Sequence, residues 1–203
     1  YTSTPHRGLE ILVPVFAKLC EKYDNIELDV FSSFKIYGWE QRDEQYKDLF
    51  EVCKNHPKIN YHGSVPNAQI REALAQSHIF AYPSIWLETS CISLMEAMSA
   101  GLLCVHPNYG ALPETAANWT NMYNWHEDLN THAQIFYNVL DVSIHSMIEN
   151  TQTNKLFHQK NYADAFYSWV PRLVEWRSLL ESIKEMPVDI EQPKKEMFVY
   201  KVG

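Results

Sequence analysis

The sequence predicts an α/β fold with a Rossmann-like parallel sheet and helices on both of its faces. Short apolar strands alternate with helical segments of about 10–15 residues, an alternation that is typical of parallel sheets. Each helix that connects two parallel strands covers one face of the sheet. The chain has 203 residues, 46% of them hydrophobic and 13% aromatic, which suffices for one substantial core.

The first part of the chain reads as helices and strands in turn. Leu9 and Val13 belong to an apolar stripe with helical spacing, and residues 26–31 alternate as a half-buried strand does. Pro66 and Asn67 mark the start of another helix. The predicted elements are a helix over 9–23, a strand over 26–31, a helix over 41–55, a strand over 59–62, a helix over 67–76 and a strand over 78–82.

The second part continues the alternation and then becomes helical. Residues 90–100 form a predicted helix that leads into an apolar strand over 102–106, and a short strand follows over 121–123. From 127 to 183 the pattern is almost wholly helical. We therefore predict one Rossmann-like domain over 1–185, of which 126–185 is mainly helical, and an extended arm over 186–203.

Charge and cysteine content exclude several classes of function. The net charge of −8 disfavours nonspecific nucleic-acid binding, which needs a basic surface. The cysteines lack a paired CxxC spacing and the histidines lack an HExxH spacing, so neither a metal site nor a redox motif is predicted. Their apolar surroundings predict that Cys91 and Cys104 are buried thiols, as in a reducing compartment.

The ends and the apolar runs of the sequence indicate where in the cell the protein is expected. No run approaches the ~20 apolar residues that a membrane-spanning helix needs, and no signal peptide is visible. We therefore expect no transmembrane segment and a cytoplasmic location, either free or as a membrane-peripheral part of the full-length protein. The first residues already read as the end of a strand, so the sequence is expected to be part of a longer protein.

Two glutamates, Glu88 and Glu96, flank a predicted helix start. Eight steps along a continuous helix turn by roughly 800°, which would leave the two carboxylates poorly aligned. Glu88 is therefore expected on a loop, with Glu96 inside the helix. The start of this helix suits an anion, because its first N–H groups lack partners within the helix. The groups expected to bind the anion are the side chains of Thr89 and Ser90 and the N–H groups of Ser90, Cys91 and Ile92.

This stretch resembles the Glu-x7-Glu signature of the retaining family 4 glycosyltransferases, in the nucleotide-binding half of the GT-B fold. The resemblance depends on Ala81-Tyr82-Pro83-Ser84 before Glu88 and on the run from Glu96 to Gly101. It implies that Glu96 binds ribose hydroxyls. It also implies a catalytic role for Glu88, which would hold donor-sugar hydroxyls or support charge near the anomeric carbon.

The start of the chain extends the resemblance. Arg7 matches a family lysine that helps to neutralise the nucleotide diphosphate. The family's upstream arginine is absent here, with Thr2 and Ser3 in its neighbourhood. The hydroxyls of Ser3 and Thr4 are therefore expected to form hydrogen bonds with the nucleotide-sugar donor.

Two later loops also match the family. Residues 61–66 look like its segment under the nucleobase, where Gly63 lets the backbone approach a flat ring and Val65 offers main-chain groups to the edge of the base. After the strand over 102–106, Gly110 and Glu114 fit the family's pattern, while Tyr109 replaces its first glycine. Glu114 either contacts the ligand or is an ordinary acidic residue at the start of a helix, and both interpretations stay open.

The resemblance implies retaining transfer of a sugar from a nucleotide-diphosphate sugar to a glycan, lipid or other acceptor, with no metal or other cofactor. It also implies an acceptor-binding N-terminal domain elsewhere in the same protein, so the chain alone is expected to be inactive. Two alternatives stay open. One is a non-catalytic nucleotide-sugar-binding module, which the absent arginine favours. The other is another GT-B enzyme, such as an epimerase or a phosphorylase.

Overall fold

The computed structural model describes residues 1–186, which divide into a unit of residues 1–166 and a second unit that begins at Tyr167. The first unit contains the sheets and the candidate site. Its strands are β1 (Leu28–Val30), β2 (Ile59–Tyr61), β3 (Ile79–Ala81), β4 (Leu103–Pro107) and β5 (Asn121–Tyr123). Its α-helices are α1 (Leu9–Leu19), α2 (Lys47–Asn55), α3 (Asn67–Gln76), α4 (Ile92–Ser99), α5 (Leu112–Ala116), α6 (Leu129–Ile148) and α7 (Thr153–Tyr167), which ends at the boundary.

The strands form two parallel sheets, β1-β2 and β3-β4-β5. Leu28 pairs with Ile59 in the first sheet, and Phe80 pairs with Cys104 in the second. Strand β4 is buried along its whole length, as expected for a strand that is covered on both faces. The prediction of an α/β fold with parallel strands and flanking helices is confirmed.

The first residues of the chain lie between the two sheets. Thr2 forms a parallel bridge with Phe31, directly after β1, and the N–H of Ser3 donates to the Phe31 carbonyl at 3.1 Å. On the other side, the Tyr1 ring lies 5.8 Å from the ring of Tyr82, which follows β3. The segment therefore brings the carboxyl ends of β1 and β3 together at one edge.

Helices α1 and α6 pack against each other, and α6 also covers β3, β4 and β5. Leu9, Leu12 and Leu19 of α1 are fully buried. Beyond the end of α1, Lys22 Nζ lies 2.7 Å from the Asp141 carboxylate of α6, and the Tyr23 hydroxyl donates to the same carboxylate at 2.8 Å. These contacts tie the segment after α1 to α6.

Helix α7 holds the turn between α4 and β4. The buried Gln159 amide donates to the Leu102 carbonyl at 2.7 Å, and Lys160 donates to the Ser99 carbonyl at 2.5 Å. Gly101 has a φ of +83°, the left-handed conformation that commonly follows a helix. The end of α4 is therefore anchored by α7.

Several predicted boundaries were wrong, for identifiable reasons. The helix predicted over 9–23 ends at Leu19, because Lys22 and Tyr23 turn to contact α6. The helix predicted over 41–55 is an α-helix only from Lys47, and Glu40–Tyr46 is a 3₁₀ helix. Within it, the Asp43 carboxylate accepts hydrogen bonds from Ser33 and Phe34. Further 3₁₀ helices cover Pro5–Arg7 and Phe34–Tyr37.

The second unit contains helix α8 (Trp169–Glu185), which begins after Ser168. Helices α6, α7 and α8 cover most of 126–185, the range for which the sequence predicts mainly helical structure. The predicted domain boundary at 185 stays a prediction. The arm predicted over 186–203 lies outside the described residues, except for Met186 at the end of α8.

Candidate functional site

An ion pair between Arg7 and Glu88 lies at the centre of the candidate site. Arg7 belongs to the 3₁₀ helix before α1, and Glu88 to the loop after β3. Arg7 Nη1 lies 2.9 Å from Oε1 and 3.0 Å from Oε2 of Glu88. The Glu88 side chain is only 2% exposed, and that of Arg7 is 22% exposed. A buried carboxylate needs such a partner, because an unpaired charge is costly to remove from water.

Arg7 keeps further donor capacity beyond this ion pair. Both hydrogen bonds to Glu88 come from Nη1, while a guanidinium carries five N–H donors. Its Nε is buried and has no hydrogen-bond partner among residues 1–186. Although Nε is buried, the side chain as a whole is 22% exposed, so Arg7 can hold Glu88 and contact an anion together.

Tyr82 supplies a third hydrogen bond to Glu88. Its hydroxyl donates to Glu88 Oε1 at 2.7 Å, and the Ser3 hydroxyl lies 3.4 Å from the Tyr82 oxygen. Tyr82 is fully buried, and burial raises the pKa of its phenol, so the hydroxyl stays protonated. The sequence places Tyr82 in a motif, but no feature of that motif predicted a function for its hydroxyl.

Two glycines allow the backbone to close around this ion pair. At Gly110, whose φ is +59°, a Cβ atom would lie 2.5 Å from the Glu88 nitrogen and 2.6 Å from its carbonyl oxygen. The next residue, Ala111, donates its N–H to the Glu88 carbonyl at 2.8 Å. At Gly8, a Cβ would lie 2.1 Å from the Pro83 carbonyl oxygen. Both loops can pack this closely only because these positions lack a side chain.

Helix α4 begins later than predicted. The N-cap residue is Cys91 and the first helical residue is Ile92, so Glu88 lies on a loop and Glu96 inside the helix, as expected. Thr89 and Ser90 are residues of the loop, and the helix has no side-chain cap. The N–H groups of Leu94 and Met95 both donate to the Cys91 carbonyl. The expected contribution of Thr89 and Ser90 to anion binding stays a prediction.

The thiol of Cys91 is an unreactive part of this turn. It is 2% exposed, and burial raises its pKa to about 12. The neutral thiol is therefore neither a nucleophile nor an anion site. Only the main chain of Cys91 can contribute to anion binding.

Glu96 lies on the side of α4 that faces the first strands. Ser93, three residues earlier, donates its hydroxyl to the Thr2 carbonyl at 2.7 Å. Residues three apart share one side of a helix, so Glu96 lies on the side of α4 that carries this contact with Thr2. Burial raises the pKa of Glu96, and the positive charge of Arg71 in α3 opposes that rise. The side chains of Glu96 and of Arg71 in α3 are therefore close enough to interact electrostatically.

Gly63 and Val65 lie at the carboxyl end of β2, in the loop that leads into α3. Gly63 has a φ of +66°, and a Cβ there would meet only the Tyr61 hydroxyl, at 4.0 Å. The backbone of this loop is thus open on the side of Gly63. His62 stacks on Phe31 at 4.3 Å, which fixes the loop against the end of β1.

The family described as "Glycosyl transferases group 1" matches residues 3–134, well over half of the chain. The match includes Arg7, Glu88 and Glu96. The chain belongs to the group 1 glycosyl transferases. The predicted family is therefore confirmed.

Curated relatives of this group 1 chain are named as subunits of phosphatidylinositol N-acetylglucosaminyltransferase. The chain is 30% identical over 108 residues to such a protein of Arabidopsis thaliana, covering 53% of the chain and 23% of the relative. It is 28% identical over 108 residues to one of Homo sapiens, covering 53% of the chain and 21% of the relative. The gpi3 protein of Schizosaccharomyces pombe is 24% identical over 181 residues, or 88% of the chain and 36% of the relative. The chain thus spans under two fifths of each relative.

Solved structures support the GT-B architecture of the group 1 chain. A glycosyltransferase from Rickettsia africae superposes with a TM-score of 0.73 at 16% identity, over 92% of this chain and 47% of that one. The pneumococcal O-GlcNAc transferase GtfA, in complex with UDP and GlcNAc, superposes with a TM-score of 0.69 at 15% identity, over 91% and 35%. At these identities the likeness shows the fold.

Further polar residues of this group 1 domain are His106, Glu114 and Thr4. His106 is fully buried, with ring nitrogens 2.9 Å from the Pro107 carbonyl oxygen and 2.8 Å from the Thr120 hydroxyl. Burial lowers its pKa to about 4, so the ring is neutral and structural. Glu114 lies in the first turn of α5. Thr4 is buried, and its carbonyl accepts the Tyr1 hydroxyl at 2.8 Å.

Two further observations concern residues 1–186 as a whole. They contain no group of three or more His, Cys, Asp or Glu side chains placed to hold a metal ion. Each helix within them is too short or too polar to cross a membrane.

Proposed function

We propose that this chain is the donor-binding domain of a retaining glycosyltransferase that uses a nucleotide-diphosphate sugar. The observation that carries the proposal is the meeting of three features at one strand edge. They are the Arg7 guanidinium, the buried Glu88 carboxylate and the N-terminus of α4. Ligands of open α/β sheets bind outside the carboxyl ends of the strands, and these features lie there.

The diphosphate is proposed to bind between Arg7 and the first turn of α4. The N–H groups of that turn have no partners within the helix and favour an anion. As the bond between sugar and phosphate breaks, negative charge accumulates on the leaving diphosphate. Arg7 and the N–H groups of Ile92 and Ser93 are positioned to stabilise that charge, without a metal or other cofactor.

The nucleoside is proposed to bind toward β2 and α3. Glu96 is half-buried on the side of α4 that faces β1, and its carboxylate can accept two ribose hydroxyl protons. The open backbone at Gly63 and the main chain of Val65 suit a flat base. Main-chain contacts of this kind do not identify the base. UDP is the first nucleotide to test, because the pneumococcal GtfA structure, which has a similar fold, contains UDP.

Glu88 is proposed to act at the reacting centre. Its carboxylate is desolvated, and a negative charge in such surroundings stabilises positive charge that develops on the donor sugar. The hydroxyls of Ser3 and Thr4 and the loop residues Thr89 and Ser90 complete the proposed donor site. The names of the relatives favour a lipid acceptor and an N-acetylglucosamine donor.

An acceptor domain of the same protein is proposed to form the other wall of the cleft. The chain covers 47% of the Rickettsia africae structure that it resembles, so more than half of that structure has no counterpart here. Without a second wall, an acceptor is not positioned and water is not excluded. The 203 residues alone are therefore proposed to be inactive in transfer, and the full-length protein to be cytoplasmic or membrane-peripheral.

A non-catalytic nucleotide-sugar-binding module is the alternative that the absent upstream arginine favours. Steady-state kinetics of the full-length protein with the Glu88→Gln variant separates the two. We expect kcat to fall by roughly 10²-fold or more while the donor KM changes much less, because the lost charge acts on the transition state. Circular dichroism of both proteins checks that the variant is folded.

Other outcomes of these kinetics contradict the proposal. If the full-length protein neither transfers nor hydrolyses any nucleotide sugar, the non-catalytic alternative holds. If Glu88→Gln raises only the donor KM, the carboxylate serves to hold Arg7 and has no part in the chemical step.

A further inference from the structure

The hydroxyl of Tyr82 has a role that neither the family match nor the relatives assign. It is the second donor to Glu88 Oε1, at 2.7 Å, beside Arg7 Nη1 at 2.9 Å. Because the Tyr82 proton points to Glu88, the Ser3 hydroxyl is the donor in its 3.4 Å contact with the Tyr82 oxygen. The hydrogen bonds thus run from Ser3 through Tyr82 to Glu88.

The ring that carries this hydroxyl is held on several sides. The Tyr82 N–H donates to the Val105 carbonyl at 2.9 Å, which extends the pairing of β3 with β4. Its ring lies 5.4 Å from that of Phe80 and 5.8 Å from that of Tyr1. Tyr82 is fully buried, so its hydroxyl is a fixed donor.

A fixed donor on Oε1 limits how the carboxylate can turn. Arg7 is partly exposed and belongs to a short 3₁₀ helix, so its own side chain does not define one orientation of the ion pair. Hydrogen bonds to charged groups are stronger than those between neutral groups, and bonds that share one carboxylate act together as a network. The orientation of Arg7 therefore depends on Tyr82, both through Glu88 and through the direct interaction of the two side chains.

We propose that Tyr82 is a positioning residue, whose hydroxyl fixes the Glu88 carboxylate so that Arg7 presents its remaining N–H donors to the donor diphosphate. This inference rests on the diphosphate role proposed above for Arg7. Tyr82 itself touches no substrate. Its contribution is to keep Arg7 in the binding orientation before the nucleotide arrives.

The chain contains a matched control for this arrangement. At the α1–α6 contact, Lys22 and the Tyr23 hydroxyl both donate to the Asp141 carboxylate, at 2.7 Å and 2.8 Å. This second trio has the same chemistry, but it lies away from the strand edge. Tyr23→Phe therefore removes a comparable hydroxyl without touching the proposed donor site.

The test compares Tyr82→Phe with Tyr23→Phe in the 203-residue chain, by two measurements. The first is the ¹⁵N NMR spectrum of the Arg7 guanidinium without nucleotide. We expect separate Nη signals in the wild type and in Tyr23→Phe, and merged signals in Tyr82→Phe, because rotation about the Nε–Cζ bond becomes faster when the pair loosens. Unchanged Arg7 signals in Tyr82→Phe would overturn the proposal, whether or not nucleotide binds.

The second measurement is the calorimetric Kd for UDP, or for whichever of GDP, ADP and dTDP the wild type binds. We expect Tyr82→Phe to raise Kd by roughly 3–10-fold, and to have no further effect when Arg7 is already changed to Met. An equal loss in both backgrounds would mean a general structural effect and would contradict the proposal. If no nucleotide binds the wild type while the Arg7 signals merge as expected, the donor role of Arg7 fails but the control of its orientation by Tyr82 stands.

Discussion

At the scale of single residues, burial decides which side chains of this domain carry charge. The buried Glu88 carboxylate accepts hydrogen bonds from both Arg7 and Tyr82. Burial keeps Cys91 and His106 neutral, by raising the pKa of the first to about 12 and lowering that of the second to about 4. Neither can act as a charged nucleophile or acid near neutral pH, which leaves the proposed chemistry to the carboxylates and to Arg7.

The neutral state of His106 predicts a pH dependence of stability. Its pKa is lowered from 6.5 in the unfolded chain to about 4 in the folded one, so between these values the unfolded state binds more protons. The folded state therefore loses stability as the pH falls from 6.5 toward 4. From about pH 7 to about pH 4.5, we expect this residue to cost about 2 kcal/mol of unfolding free energy.

Urea denaturation of the wild type and of His106→Gln at about pH 7 and about pH 4.5 checks this prediction. Glutamine does not titrate, so the variant should lose about 2 kcal/mol less than the wild type over this range. The other histidines are common to both proteins and cancel. The same loss in both would show that His106 does not stay neutral in the fold.

At the scale of elements, the loop after β4 shapes the site through its backbone. Gly110 packs on the main chain of Glu88, and Ala111 donates to the Glu88 carbonyl. Gly38 also has a positive φ, +72°, but a Cβ there would meet nothing within 4 Å. Alanine substitutions at Gly110 and at Gly38 therefore separate two costs in free energy, that of the backbone conformation and that of close packing.

Gly110→Ala is expected to destabilise the domain more than Gly38→Ala. At Gly38, alanine meets only the left-handed penalty of about 1–2 kcal/mol. At Gly110, contacts of 2.5 and 2.6 Å with Glu88 add to it, and we expect a total of about 3–4 kcal/mol. Urea denaturation of both variants at one pH measures the difference. Equal losses would mean that the loop moves aside freely and does not fix Glu88.

The sequence predicted elements well where local pattern alone decides them. Helix α3 and strand β5 have the predicted bounds, because their helical or strand pattern is bounded by clear breaks. The 3₁₀ helix at Glu40–Tyr46 could not be predicted, since it accompanies contacts of Asp43 with Ser33 and Phe34. The late start of α4 likewise depends on which carbonyl accepts the first N–H groups, which the preferences of Thr89 and Ser90 do not determine.

The sequence suggests which residues belong to the candidate site, but it does not predict the contacts between them. Glu88 and Glu96 follow from their spacing and from the resemblance, and Arg7 follows from the resemblance. The structure places Arg7 against Glu88. Their direct ion pair joins residues 81 positions apart and depends on how two loops pack, so no local pattern could reveal it. The same holds for the Tyr82 hydroxyl, whose direction depends on the ring's place between Phe80 and Tyr1.

At the scale of the whole molecule, residues 1–166 present one strand edge that carries the proposed nucleotide site. The group 1 match lies entirely within this unit, and so do Arg7, Glu88 and Glu96. The chain spans under two fifths of its curated relatives from Arabidopsis thaliana, Homo sapiens and Schizosaccharomyces pombe. Donor binding is therefore the property that this chain is proposed to have by itself, whereas transfer is proposed to need the longer protein.

The most direct test of the donor site is isothermal titration calorimetry of the 203-residue chain with UDP, GDP, ADP and dTDP. We expect at least one to bind, and Arg7→Met and Glu96→Ala each to weaken it by about 1–3 kcal/mol, the cost of unpaired diphosphate or ribose groups. Lys54→Met, which removes an exposed cation of α2, should leave the affinity unchanged. Binding that is equally tight in Arg7→Met and Glu96→Ala, or binding of none of the four nucleotides, would contradict the proposed site.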